Sequence, residues 1–291
     1  MIKNTTNNLS PYLELCKLNI MVPVSLTGFT GYFIFDPHLS VRIFLTSLGV
    51  LLMAVSASVL NQVQEVELDR KMNRTYSRPI PAGKITIQKA IIFFFINLVA
   101  GTVLIYTAGN LKAATIGLLT VLWYNGVYTY SKRITAFAVV PGALTGALPP
   151  LIGWVAAGGG IWDKPIIFLE FLFFIGQIPH FWLMILKYGD EYKKAGIPTL
   201  KDIFKLSQIN RLTFTWIIAS VVAALFLCVF EIIQNRLIIL ILMTGSAFMI
   251  WQFVDLLKSQ PGKYSYKKYS ISLDLYFLLI MILLISDRIL I

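Results

Sequence analysis

Asn61, Glu65 and Asp69 recur every four residues in the run NQVQEVELDRKMNRTYSRPIPAGKI, residues 61–85. On a helix that spacing puts them within about 80° of one another, in steps of roughly 6 Å. Two carboxylates and an amide oxygen on one face suit Mg²⁺, a hard cation that keeps waters and completes its shell with substrate phosphates. Arg70, Arg74 and Arg78 follow in the same run, and arginine takes phosphate oxygens in pairs. Metal and arginine together fit a diphosphate leaving group. A solvated, salt-bridged helix cap uses the same residue types. Location weighs against that reading: Asn61 and Glu65 directly continue the apolar run LLMAVSASVL, where a carboxylate is costly unless paired or metal-bound.

A second run, FFIGQIPHFWLMILKYGDEYKKAGIPTL at residues 173–200, carries Asp190 and Glu191. Two metals bridging one diphosphate would need such a second acidic site facing the first. Lys187 is placed either to meet phosphate from the opposite side or to serve as an ordinary membrane-edge anchor. His180 is one of two histidines, the other being His38. In an apolar helix its bland role is packing; its chemical one is to hold a flat conjugated acceptor or ligate that acceptor's iron. Between the two runs stand Tyr124, Tyr128, Lys132 and Arg133, then Gly142, Gly146, Pro149, Pro150 and Gly153. The small residues permit close helix packing. Aromatic faces near a diphosphate would each stabilise a developing allylic cation by about 0.5–2 kcal/mol.

What positions these residues is a set of membrane helices. The chain is 57% hydrophobic and 13% charged, with mean hydropathy +0.75, which excludes a water-soluble domain of this size. The net charge of +11 is carried among apolar runs and does not indicate nucleic acid. Cys16 and Cys228 form no CxxC or Cys/His cluster and read as small core residues. No cleavable signal pattern follows the first apolar run. Nine windows reach the roughly twenty apolar residues a spanning helix needs: about 18–36, 41–63, 87–107, 111–130, 134–157, 165–186, 212–232, 236–257 and 271–290. Seventeen lysines and arginines fall after the even-numbered spans, including Lys258, Lys263, Lys267 and Lys268, against four after the odd-numbered ones. That alternation puts the N-terminus and both long loops, 64–86 and 187–211, in the cytoplasm. Loops four spans apart suggest one membrane domain of two four-helix halves, about 18–130 and 134–257, plus a ninth helix at 271–290. A transporter could be built the same way, but its site would lie near the bilayer midplane, whereas these acids cluster at one face.

The motifs NQxxExxxDxxMxRTxxRPIPxGKI at 61–85, SKRxT at 131–135, GAxxGAxPPLIGW at 142–154 and PHFWxxxLKYxDEYxxAGIP at 179–198 resemble the UbiA superfamily of intramembrane prenyltransferases. Within it they are most similar to the protohaem IX farnesyltransferases. The resemblance runs from about Tyr12 into the ninth span. It implies an all-α bundle of nine transmembrane helices with a central cavity, set in the bacterial inner membrane. It also implies Mg²⁺-dependent ionisation of farnesyl diphosphate, alkylation of a haem B vinyl group and capture of water, with haem A synthase or oxidase assembly downstream. By position, Asn61, Glu65, Asp69, Asp190 and Glu191 would be the catalytic metal and diphosphate residues. Arg70, Arg74, Arg78, Lys132, Arg133 and Lys187 would bind phosphate or the porphyrin propionates, with Tyr128 and His180 also facing substrate. Relatives acting on phenolic or quinone acceptors tend to show DxxxD in the second loop, where Tyr188 and Tyr192 stand here. Lys17-Leu18-Asn19 replaces the Lys-Pro-Arg common in relatives, leaving a contact near the first helix open.

Overall fold

A computed structural model describes residues 9–258 and 266–291, and every regular element among them is helical. Lys263 and the first eight residues, which enter the orientation argument, lie outside the described residues. In hydrocarbon each backbone N–H and C=O must be satisfied within the segment, so long apolar runs can only become helices. Among the described residues eight helices are long and apolar enough to cross a membrane: α2 (Leu18–Phe35), α3 (Val41–Gln64), α5 (Ile87–Ala108), α8 (Val139–Ala156), α9 (Lys164–Lys194), α10 (Leu206–Val229), α11 (Arg236–Phe253, continued to Lys258) and α12 (Tyr266–Leu290). The remaining expected span is α6 (Leu111–Leu122), a π-helical stretch (Trp123–Tyr128) and α7 (Thr129–Ile134) in unbroken succession. Two short helices, α1 (Ser10–Cys16) and α4 (Val66–Arg70), flank the first and second spans.

One boundary shift matters for function. The sixth span was expected to end near 186, but α9 continues to Lys194 and is 31 residues long. At 1.5 Å per residue that is about 46 Å, well beyond the roughly 30 Å of a hydrocarbon core. Polarity ends the apolar window, but the buried face persists through Trp182, Leu183, Leu186 and Gly189. Asp190 and Glu191 therefore ride on a rigid helix end and not on a loop. Similarly, α10 begins at Leu206 and α12 at Tyr266, a turn or more before the apolar windows.

The helices close a ring: α2 packs on α3 and α8, α3 on α5, α5 on α6, α6 on α8, α8 on α9, α9 on α10, α10 on α11, α11 on α12, and α12 back on α2 and α9. Glycines set the tightest crossing, between α2 and α8. A Cβ on Gly31 would strike the Pro150 carbonyl, and one on Gly153 would strike Gly28 O and lie 2.8 Å from Tyr32 N. Both obstacles are backbone and cannot rotate away. We expect Gly153→Val to cost about 3 kcal/mol or more by overpacking, read as a lower thermal midpoint of the detergent-solubilised protein. Away from the crossing, Asp287 of α12 is fully buried and accepts the backbone N–H groups of Gln234 and Asn235 at 2.8–3.3 Å, which anchors the turn into α11. A cavity of about 400 Å³ opens between α8 and α9 at the end of the bundle away from residues 64–86, lined by Leu144, Leu151, Trp162, Glu170 and Phe171.

Candidate active site

The acidic stripe forms, with a bend in it. Glu65 N bonds Asn61 O at 3.0 Å and Asp69 N bonds Glu65 O at 2.8 Å, so both four-residue steps are helical. Glu65 itself departs from helical geometry, with φ −105° and ψ 11°, and joins α3 to α4. Asn61, Glu65 and Asp69 are all buried, which a solvated helix cap would not require.

Each acid meets a cation brought from elsewhere in the chain. Lys132 Nζ lies 2.6 Å from Glu65 Oε1 and 4.8 Å from the centroid of the Tyr128 ring. Arg78 bridges both oxygens of Asp69 through one nitrogen, at 2.8 and 2.7 Å. The loop that returns Arg78 is shaped by its own turn chemistry. Thr75 Oγ1 donates to Asp69 O, Lys84 and Ile85 N–H both donate to Pro79 O, and Gly83 sits at φ +73°, a conformation that favours glycine. Gly196 plays the same part in the second loop at φ +78°.

The π-helical stretch places the aromatic wall. Its wider turn lets Asn125 Nδ2 donate to Ala57 O and to Gln64 Oε1, both at 3.0 Å, while Gln64 Nε2 donates back to Asn125 O at 3.1 Å. Such bulges recur at functional sites. Thr129, just after it, accepts from Asn61 Nδ2 at 3.1 Å. Among the described residues no donor reaches Asn61 Oδ1. Tyr124 and Tyr128 pack at 5.3 Å between centroids, and Tyr128 meets Phe181 of α9 at 5.7 Å, over Gly142, where a Cβ would clash with the Tyr128 ring.

The extended end of α9 docks on the first loop. Glu191 Oε2 accepts the Arg74 backbone N–H at 3.0 Å, and the Arg74 guanidinium lies 4.8 Å over the Tyr188 ring and donates to Tyr192 Oη at 3.4 Å. Met72, Ala195 and Ile197 bury a small apolar cluster between the two segments, with Leu68 and Tyr192 against it. Asp190 points away: its side chain is 89% exposed and pairs with Lys201 at 3.2 Å. Of the two adjacent acids, Glu191 meets the first loop.

Not every candidate converges. Arg70 pairs with Glu67 on the outside of α4 at 2.6 Å. Arg133 is exposed, donates to Gln64 O at 2.6 Å and lies over Tyr130. Lys187 is exposed at the rim, 4.6 Å over Tyr188. His180 lies deeper in α9, its Nδ1 3.0 Å from Asp274 Oδ1 of α12. Lys17 joins the site without having been a candidate. It links α1 to α2 at φ +47°, and Gln62 Nε2 holds that junction by donating to Leu15 O at 3.0 Å. Burial pushes its ammonium down to about 7; Arg78 adds to the effect, and Asp69 and Glu65 oppose it. A lysine at the start of an apolar run reads as an ordinary membrane-edge anchor, and only the folded chain brings it beside the acids.

The donors suit a hard cation: carboxylates and an amide oxygen. Among the described residues no three acidic, histidine or cysteine side chains already converge as a metal cage.

Known proteins share both sequence and architecture with this chain. The profile of the UbiA prenyltransferase family matches residues 24–280. A protoheme IX farnesyltransferase of Nitratidesulfovibrio vulgaris (strain DP4) is 34% identical over 221 residues, 76% of this chain and 77% of that protein. One from Geobacter sulfurreducens is 43% identical over 150 residues, 52% of this chain and 55% of that protein. Among solved structures, a digeranylgeranylglyceryl phosphate synthase superposes with TM-score 0.77 at 21% identity, covering 98% of this chain and 99% of its own. A UbiA homolog from Archaeoglobus fulgidus bound to DMAPP and Mg²⁺ gives 0.72 at 16% identity, covering 97% and 100%. The family profile takes in both acidic segments and the helices that join them, so this multi-pass membrane protein belongs to the UbiA prenyltransferase family.

Proposed function

We propose that this prenyltransferase moves the farnesyl group of farnesyl diphosphate onto a vinyl group of haem B, with addition of water, giving haem O. The observation that carries the choice of acceptor is the 34% identity, over three quarters of both chains, to relatives named protoheme IX farnesyltransferase. The site's chemistry agrees with it. Mg²⁺ bound by Asn61, Glu65, Asp69 and Glu191 would supply charge withdrawal from the diphosphate. Lys132 and Arg78 already stand at these acids and would take phosphate oxygens, with Arg74 at the rim. Preorganised charge of this kind is usually the largest catalytic contribution. Tyr124 and Tyr128, packed together beside Lys132, would stabilise the cation that develops on the allylic carbon. Asp190, Arg70, Arg133 and Lys187 are assigned to the approach to the site, at the cytoplasmic face of the inner membrane.

The test is direct. Purified protein in lipid nanodiscs receives haem B, farnesyl diphosphate and Mg²⁺, and mass spectrometry follows the haem. The expected product gains farnesyl and one water, and chelation of the metal abolishes it. Prenylation of a phenolic acid with none of haem would overturn the acceptor. Full activity in chelator would overturn the metal.

A further inference from the structure

Among the ionisable pairs the diphosphate chemistry does not use, His180 and Asp274 join two of the long apolar helices. His180 follows Pro179 in the middle of α9, and Asp274 lies two turns into α12; Nδ1 and Oδ1 are 3.0 Å apart. Their side chains are 32% and 56% exposed, so the pair is accessible although α9 and α12 pack on each other. Ionisable groups at such depth in apolar helices are expensive and face the bundle interior or a polar cavity, where they do chemistry. A succession of rings ties the pair to the acid cluster. Lys132 lies over Tyr128, Tyr128 meets Phe181 edge-on, and Phe181 meets the His180 imidazole at 6.2 Å and 90°. The imidazole thus stands one ring layer beyond the point where the donor's first carbon would be released.

A carboxylate on Nδ1 fixes the tautomer and leaves Nε2 as the basic nitrogen. Among the described residues Nε2 has no hydrogen-bond partner. Of the acids of the diphosphate site, Glu65 and Asp69 are each engaged by a cation, and Glu191 accepts the Arg74 backbone N–H.

We propose that His180 is the general base of the water-addition step and that Asp274 is the residue positioning it; this rests on haem as the acceptor. The vinyl π electrons form the new C–C bond to farnesyl as the C–O bond to diphosphate breaks, which leaves a cation on the carbon attached to the porphyrin. Water oxygen bonds to that carbon, one water O–H bond breaks with its electrons remaining on oxygen, and the proton passes to His180 Nε2. The resulting imidazolium faces the Asp274 carboxylate. No oxidant or reductant is needed. Without the base, the same cation loses a proton from its neighbouring carbon and becomes an alkene.

Product partition reads this out. In the nanodisc assay, His180→Ala should form the water-added product about 100-fold more slowly, the scale of general-base catalysis, while a prenylated haem lacking that water accumulates. Added imidazole should restore the water-added product. Asp274→Asn, which keeps the shape of the side chain, should shift the same ratio about tenfold, as loss of a histidine's orienting carboxylate does elsewhere. Wild-type product ratios in both variants would overturn the proposal. So would loss of all prenylated haem in His180→Ala together with an altered haem absorption spectrum, which would make His180 an iron ligand. If the wild-type protein itself prenylates a phenolic acid and not haem, the acceptor assignment fails first and this inference with it.

Discussion

Asp69→Asn should lower farnesyl transfer by about three orders of magnitude, roughly 4 kcal/mol of transition-state stabilisation, while leaving the protein inserted in the membrane. Asp69 is 1% exposed, and both of its oxygens lie on one nitrogen of Arg78. An amide in its place keeps one acceptor and turns an N–H₂ group toward the guanidinium. The variant therefore loses a metal ligand and disturbs the cation meant for phosphate. A structural cost accompanies it, because breaking a buried ion pair from one side typically costs about 3–5 kcal/mol. That cost falls on the loop of residues 71–86, since α2, α8 and α9 pack without it. Combining Asp69→Asn with Arg78→Gln separates the two effects. If Asp69 only neutralised Arg78, the double variant would recover activity. A metal and diphosphate role predicts that it stays as inactive as the single variant or falls further.

The parts of this arrangement that were legible beforehand are those governed by local pattern. The four-residue spacing of Asn61, Glu65 and Asp69 specifies a shared face whatever surrounds it, and lipid permits apolar runs only one conformation. Gly83 and Gly196 stand where φ is positive, a conformation costly for other residues. What escaped was set by tertiary contacts. Hydropathy ends the sixth span near 186 since it measures transfer to lipid, whereas α9 persists to Lys194 by packing on the first loop through Glu191, Ala195 and Ile197. The π turn at Trp123–Tyr128 exists because Asn125 bonds to Ala57 and Gln64 on another helix. Lys17 and Arg70 make the same point from opposite sides. Arg70, one residue from Asp69, turns outward to Glu67, while Lys17, distant in sequence, joins the acids. Nearness in sequence does not say where a cation points, because its long side chain can reach either way.

That distinction bears on Lys132, where we expect Lys132→Met to reduce kcat/KM about 100-fold or more. The ammonium is 2.6 Å from buried Glu65 and packed over Tyr128, with the side chain only 20% exposed. Methionine keeps much of the stem that covers the ring, so the change falls on charge. A cation held against the diphosphate gains most as negative charge builds on the departing oxygen. Its loss should therefore appear chiefly in kcat, since interactions equal in ground and transition states change KM alone. A rise in donor KM at constant kcat would make Lys132 a ground-state anchor, and unchanged kinetics would reduce it to a partner of Glu65. Lys132→Arg sharpens the distinction. It keeps the charge but replaces a compact ammonium with a planar fork that must fit between Tyr128 and Glu65. Partial recovery relative to methionine would show that charge carries the effect, and activity as low as methionine's would show that the geometry of a point charge over the ring does.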